Sequence, residues 1–284
     1  MAARLTLPTY LFAGGLKGER PIREIAAVCR ACRVQELSVN FTQQGEISFQ
    51  SELRQLEALK RDLDGMGVHI NNITTLLTSG VNEISAGREE RERCRQIFEK
   101  MLDIGEALGI ETLCAHICTS RVLSEYSYEE AVRLEGERVQ ELAVRCKERG
   151  LRFLLENAVD GLISTGEGYR EFLSGQAAGA GLCYDIANSY FVCPPERWLQ
   201  TLSGKIEYLH LTDLRIKSLR GMLVEFVDPG QGLVHYPSVF RKIEEIGYEG
   251  PVLIESFEKR GQDDTKRVQE LIRLWQAQRG EERQ

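Results

Sequence analysis

Four side chains able to bind a divalent cation each close an apolar run in the C-terminal half of the sequence. They are Glu156 in FLLEN, Asp185 in LCYDIAN, His210 in YLHLTD and Glu255 in VLIES. Each run reads as a buried strand, and each ends in a group that is costly to bury without a partner. Carboxylate oxygens and one imidazole nitrogen make a mixed donor set that suits a single Mn, Mg, Co or Zn ion. The intervals between them are 29, 25 and 45 residues. The first two fit one strand and one helix each, and the third includes a long polar connection over 212–235. A lone Glu closing a strand is usually a solvated cap, but four metal-capable residues in succession are poorly explained that way.

The elements that must position these groups alternate along the chain. Short apolar runs near 5–10, 34–40, 67–73, 111–117, 151–156, 181–185, 206–211 and 251–255 predict eight strands. Helical periodicity lies between most of them. Residues 88–108 place Cys94, Ile97, Phe98, Met101, Ile104 and Leu108 on one face. A helix over 128–149 starts behind Ser127 as an N-cap and ends before Gly150. Gly65, Gly67, Gly109 and Gly247 punctuate further turns, and 263–278 reads as a closing helix. Eight such units in 284 residues predict an α/β protein with a single (β/α)8 TIM barrel spanning 1–284 as one domain. No Gly-x-Gly-x-x-Gly follows the first strand, which disfavours a doubly wound sheet. In a barrel of this kind the strand ends meet at one face, so the four candidate ligands converge.

Composition narrows the function classes. Hydrophobic residues make up 42% of the chain, enough for a large core. With 36 basic and 43 acidic residues the formal charge is −7, which argues against a nucleic-acid partner held by phosphate contacts. No apolar run approaches the ~20 residues of a membrane span, and no secretory signal is evident, so the expectation is a cytoplasmic protein. Its eight cysteines then read as reduced thiols. A homo-oligomer is left open.

The strand-end segments resemble those of the xylose isomerase-like TIM barrels: sugar-phosphate isomerases and epimerases, tagatose and psicose 3-epimerases, inosose isomerases and dehydratases, with endonuclease IV as a distant relative. LLEN is similar to the family's strand-five glutamate, CYDIANS to its strand-six aspartate segment and YLHLTD to its strand-seven segment. DPGQGLVHYPSVFRKIEEIGYEGPVLIES is similar to its closing stretch. The resemblance implies that Glu156, Asp185, His210 and Glu255 hold one divalent metal, and that Glu156 and Glu255 also act as an acid/base pair. The chemistry it implies is proton transfer next to a metal-polarised carbonyl through an enediolate, giving epimerisation or aldose–ketose isomerisation of a small carbohydrate. Two positions depart from the family pattern. Asn188 stands where many epimerases have a histidine, and Thr212 stands where the strand-seven motif has a lysine.

Asn188, His116 and Arg215 are candidate substrate contacts. His116 closes the fourth strand, and Arg215, Lys217 and Arg220 follow the seventh, where cations could meet an anionic group. Backbone amides at Gly230 and Gly232 are a weaker candidate for a phosphate, and His235 reads as a loop residue. His69 begins its strand and belongs to the opposite face. Glu36 is expected near the middle of the second strand and Asn40 near its end. Cys29 and Cys32 share a helix face, and Cys114, Cys118 and Cys183 read as strand packing. Two other readings compete with the isomerase: an endonuclease IV-like phosphodiesterase, which needs more than the four histidines present, and a barrel that binds a ligand without catalysis.

Overall fold

A computed structural model describes residues 4–116, 119–218, 223–259 and 261–279. Among the described residues ten strands occur in chain order: β1 (Leu5–Pro8), β2 (Glu36–Phe41), β3 (His69–Thr75), β4 (Thr112–His116), β5 (Arg152–Glu156), β6 (Gly181–Asp185), β7 (Ile206–Leu211), β8 (Asp213–Ser218), β9 (Leu223–Val227) and β10 (Val252–Ile254). Eight of them close a barrel in the order β1-β10-β7-β6-β5-β4-β3-β2. Every pairing in it is parallel, and Leu5 opposite Val252 joins the first strand to the last.

Helices follow the barrel strands: α1 (Ile22–Ala31), α2 (Leu53–Met66), α3 (Arg88–Leu108), α4 (Tyr128–Glu148), α5 (Gly166–Ser174), α6 (Pro195–Thr201), α7 (Tyr236–Glu245) and α8 (Asp264–Arg279). This is the (β/α)8 barrel that the alternation of elements predicts. The periodic face of α3 is the buried one, from Cys94 through Leu108. Ser127 caps α4 by accepting a hydrogen bond from the Glu130 amide. Gly67 and Gly109 end α2 and α3 at φ 69° and 68°, a left-handed conformation that a Cβ disfavours.

The barrel interior explains how the strand ends are aimed. Cys114, Leu154, Cys183, Tyr208 and Leu253 form one buried cluster inside it. Each lies two residues before His116, Glu156, Asp185, His210 and Glu255 respectively. Side chains alternate across a strand, so residues two apart share a face and the second set forms the next layer towards the mouth. Deeper in the barrel, Tyr208 donates to Asn71, which donates to Thr6, at 3.1 and 2.8 Å. These bonds satisfy polar groups that would otherwise be buried alone.

The connection over 212–235 differs from the polar loop expected. It carries the antiparallel hairpin β8–β9, with Leu214 opposite Phe226 and Arg215 opposite Glu225. Leu214, Ile216, Val224 and Phe226 share one face, while Arg215, Lys217 and Glu225 share the other. Lys217 and Glu225 are paired at 2.8 Å. Arg215 and Lys217 in β8 and Glu225 in β9 interrupt the apolar pattern on one face, so neither run looks like a buried strand in sequence.

Candidate metal centre and active site

Glu156, Asp185 and His210 are the last or near-last residues of β5, β6 and β7, and Glu255 directly follows β10. One potential donor atom from each lies within 4.8 Å of all the others. His210 Nδ1 is 3.0 Å from Glu156 Oε1 and 3.1 Å from Glu255 Oε2. Three of the four side chains are buried, and Glu255 is partly so.

Electrostatics make this cluster poorly balanced by itself. Burial, then the charges of Glu255 and Glu156, push the Asp185 carboxyl far above the usual range. Burial also opposes ionisation of Glu156, but His210 and His116 beside it hold its pKa down to about 2. His210 is buried, which disfavours its charge, yet Glu156 raises its pKa well above the usual value. His210 Nε2 is buried without a hydrogen-bond partner. Three converging carboxylates and a histidine fit a divalent cation, which would offset like-charge repulsion.

A frame of hydrogen bonds holds Asp185 in place. Its Oδ1 accepts from the Thr212 hydroxyl and from the Asn188 amide, both at 2.7 Å. Thr212 Oγ1 in turn accepts from the Ala187 amide at 2.9 Å. The Asn157 side chain bonds the Asp185 backbone in both directions, at 2.9 and 2.7 Å. Asn188 Nδ2 donates to the Asn157 carbonyl at 3.0 Å. Sequence reasoning missed this use of Asn157 and Thr212. The only available signal was their position directly beside strand-end motifs.

A cleft of about 290 Å³ opens over the cluster, lined among others by His116, Glu156, Asp185, Asn188, Thr212 and Glu255. That is near the small end of the ~300–1,000 Å³ usual for small-molecule sites. His116 Nε2 lies 3.4 Å from Glu156 Oε2 and Cys114 Sγ lies 3.6 Å from the same oxygen. Tyr10, which no sequence pattern had singled out, is buried near the site. Burial and the charges of Glu255 and Glu156 push its hydroxyl pKa well up.

Arg215 and Glu36 are not where the sequence puts them, while His69 and His235 lie away from the cleft as expected. Arg215 is exposed on β8, its Nε donating to the Gln231 carbonyl at 2.6 Å, and is absent from the described cleft lining. Strand alternation puts it on the hairpin face opposite Phe226, which does line the cleft. Glu36 is the first residue of β2, not its middle, so it lies at the far end of the barrel, 3.5 Å from Arg4. His69 is exposed at the start of β3, 3.7 Å from Asp64. His235 precedes α7 and contacts Ser238 at 2.9 Å.

The Gly230 and Gly232 amides are already used. Both donate to Asp213 Oδ2, at 3.0 and 2.7 Å, while Leu214 and Val234 donate to Oδ1. A Cβ on Gly232 would stand 2.2 Å from Asp213 Oδ1, so only glycine allows this close approach. Asn40 is buried, its Nδ2 donating to the Leu16 carbonyl at 3.0 Å. Cys29 is buried in α1, and Cys32 caps that helix. Cys114 and Cys183 pack inside the barrel. Cys118 and Arg220 lie outside the described residues.

Fold and site together define a (β/α)8 barrel with a cation-capable cluster at its C-terminal mouth. The sequence model of one family, described as Xylose isomerase-like TIM barrel, matches residues 32–278, and the chain belongs to that family. A solved structure of the IolI protein with a bound zinc atom aligns at TM-score 0.78 and 15% identity, covering 98% of each chain. D-psicose 3-epimerase with D-tagatose, from Clostridium cellulolyticum H10, aligns at TM-score 0.73 and 15% identity, covering 96% of this chain and 90% of the other. The probable 3-DHS dehydratase AsbF from Bacillus anthracis aligns at TM-score 0.73 and 15% identity, covering 95% and 98%. At such identities these likenesses bear on the fold alone. No curated protein matches the chain.

Proposed function

We propose that this protein is a divalent-metal-dependent isomerase or epimerase of a small sugar, polyol or sugar phosphate. The observation that carries the reading is the ring of Glu156, Asp185, His210 and Glu255, with donor atoms within 4.8 Å of one another at the mouth of the barrel. A divalent ion held by these four residues would polarise a carbonyl and its neighbouring hydroxyl, acidifying the C–H between them. The epimerase activity that one neighbour's name gives, and the zinc atom bound by another, are compatible with that chemistry.

Glu156 and Glu255 are the bases in this reading. They enter the mouth from β5 and β10, with β6 and β7 between them in the barrel order, so they can approach one carbon from different sides. One carboxylate removes the proton, and the other returns one to the opposite side of that carbon or to its neighbour. His116, half-buried against Glu156 Oε2, is placed to exchange a proton between that oxygen and the cleft. Asn188 orients Asp185 through its backbone and lines the cleft with its side chain. An endonuclease IV-like reaction fits less well, because His69 and His235 lie away from the cluster and leave only His210 in it and His116 beside it.

The test is solvent-deuterium incorporation into a panel of ketoses, inososes and sugar phosphates with Mn²⁺ present. The wild-type protein is expected to exchange at least one of them, and Glu156→Gln or Glu255→Gln to lose about 10³-fold or more in rate. Exchange at the wild-type rate in either variant would remove the two-base role.

A further inference from the structure

The rim of the metal cleft is apolar and wet. Leu76, Val159, Phe226 and Phe257 all line it, and they are 44, 53, 42 and 38% exposed. They come from four different strand ends or loops, so the rim is built by the fold and is not one stray patch. Phe257 stacks on the buried Tyr10 at 5.5 Å between ring centroids, which makes a fixed aromatic wall beside Glu255. Phe226 is brought over the cleft by the hairpin, whose apolar face continues outward through Val224 and Ile216.

Charge at this mouth disfavours an anion. Three carboxylates would outweigh a divalent ion by one charge, and Asp160 also lines the cleft. The described cations nearby are already engaged. Lys259 and Arg267 pair with Asp228 at 2.5 and 3.2 Å, Lys217 with Glu225 at 2.8 Å, and Arg215 with the Gln231 carbonyl at 2.6 Å. Lys17 is exposed in a separate cleft beyond Leu76.

We infer that the substrate is an uncharged hydroxycarbonyl compound with an apolar or ring-faced portion, and that Phe226 and Phe257 select it against phosphorylated sugars. This rests on the metal-dependent reading above and narrows its substrate class. Aromatic faces bury C–H surface at about 25 cal/mol per Å². A phosphate held against the same rim would lose hydration without gaining a cation.

Three small α-hydroxyketones separate the alternatives, since they share the chelating group and differ beside it. They are 2-hydroxyacetophenone, dihydroxyacetone and dihydroxyacetone phosphate, titrated calorimetrically into the Mn²⁺-loaded protein. The phenyl compound is expected to bind at least about tenfold more tightly than the phosphate. Phe226→Ala and Phe257→Ala should each weaken it by about fivefold or more, with dihydroxyacetone within about twofold of wild type. Both rings are at the surface, so unchanged melting temperatures would confirm intact folds. Lys17→Ala should alter none of the three affinities. Tightest binding of the phosphate, or a phenyl preference that survives both Phe variants, overturns the inference and leaves the metal-dependent reading standing. Failure of all three to bind the metal-loaded protein overturns that reading and the inference together.

Discussion

Thr212 stands where the strand-seven motif resembles one with a lysine, and it does a different job here. Its hydroxyl donates to Asp185 Oδ1 and accepts from the Ala187 amide, so it fixes the rotamer of a proposed metal ligand. Thr212→Val keeps the shape and removes both bonds. Groups that orient a metal ligand typically contribute 10–100-fold to affinity. The Mn²⁺ dissociation constant, measured calorimetrically, should therefore rise by about tenfold or more, and an unchanged value would mean that Asp185 needs no such support. Residue types and their place beside a strand end were legible in the sequence. Which oxygen each partner meets was not, because that depends on a chain segment 27 residues away.

At the scale of elements, strand alternation accounts for most of the site. Each proposed ligand sits two residues above a packed interior side chain, which sets its direction before any metal arrives. The hairpin was hidden from sequence reasoning for the same reason, since its period-two pattern lacks a fully buried side.

The segment joining β3 to α3 carries its own titratable contact. Glu83 is largely buried, its side chain 11% exposed, and this desolvation together with Glu135 pushes its pKa up to about 8, against the pull of Arg138 at 3.2 Å. The folded protein thus holds a proton on Glu83 that the unfolded chain releases near 4.5. Stability from this group is full below that value and is lost as pH rises towards about 8. Glu83→Gln cannot titrate, so it should remove at least ~2 kcal/mol of the wild-type decline between pH 5 and 9, read from urea unfolding. Parallel stability curves for the two proteins would refute the buried proton.

For the whole molecule, an ion at the proposed site would couple to the fold through the barrel mouth. Four strands on one arc of the barrel, β5, β6, β7 and β10, end in the proposed ligands, so an ion there bridges half of the sheet. An ion that binds only the folded state stabilises it by about 2.7 kcal/mol at a hundred times its dissociation constant. For a chain of this size that corresponds to a rise of about 5 °C or more in melting temperature. The rise should appear on adding Mn²⁺ to chelator-treated protein and vanish in Asp185→Asn. A protein indifferent to every divalent ion would favour the reading of a barrel without metal chemistry. No helix is long and apolar enough to cross a membrane among the described residues.

The sequence by itself determined the fold and the types of the candidate ligands, because both follow from local pattern. Apolar runs of strand length alternate with helical periodicity, turn glycines separate them, and one metal-capable residue closes each of four late strands. Parallel closure of eight such units leaves little freedom in where those ends meet. Only the tertiary structure decided what surrounds them. It turned Arg215 away and Phe226 inward by the register of a hairpin, gave the Gly230 and Gly232 amides to Asp213, and set Phe257 against Tyr10. Those outcomes depend on side chains far apart in sequence meeting at one mouth, and no local periodicity encodes such meetings.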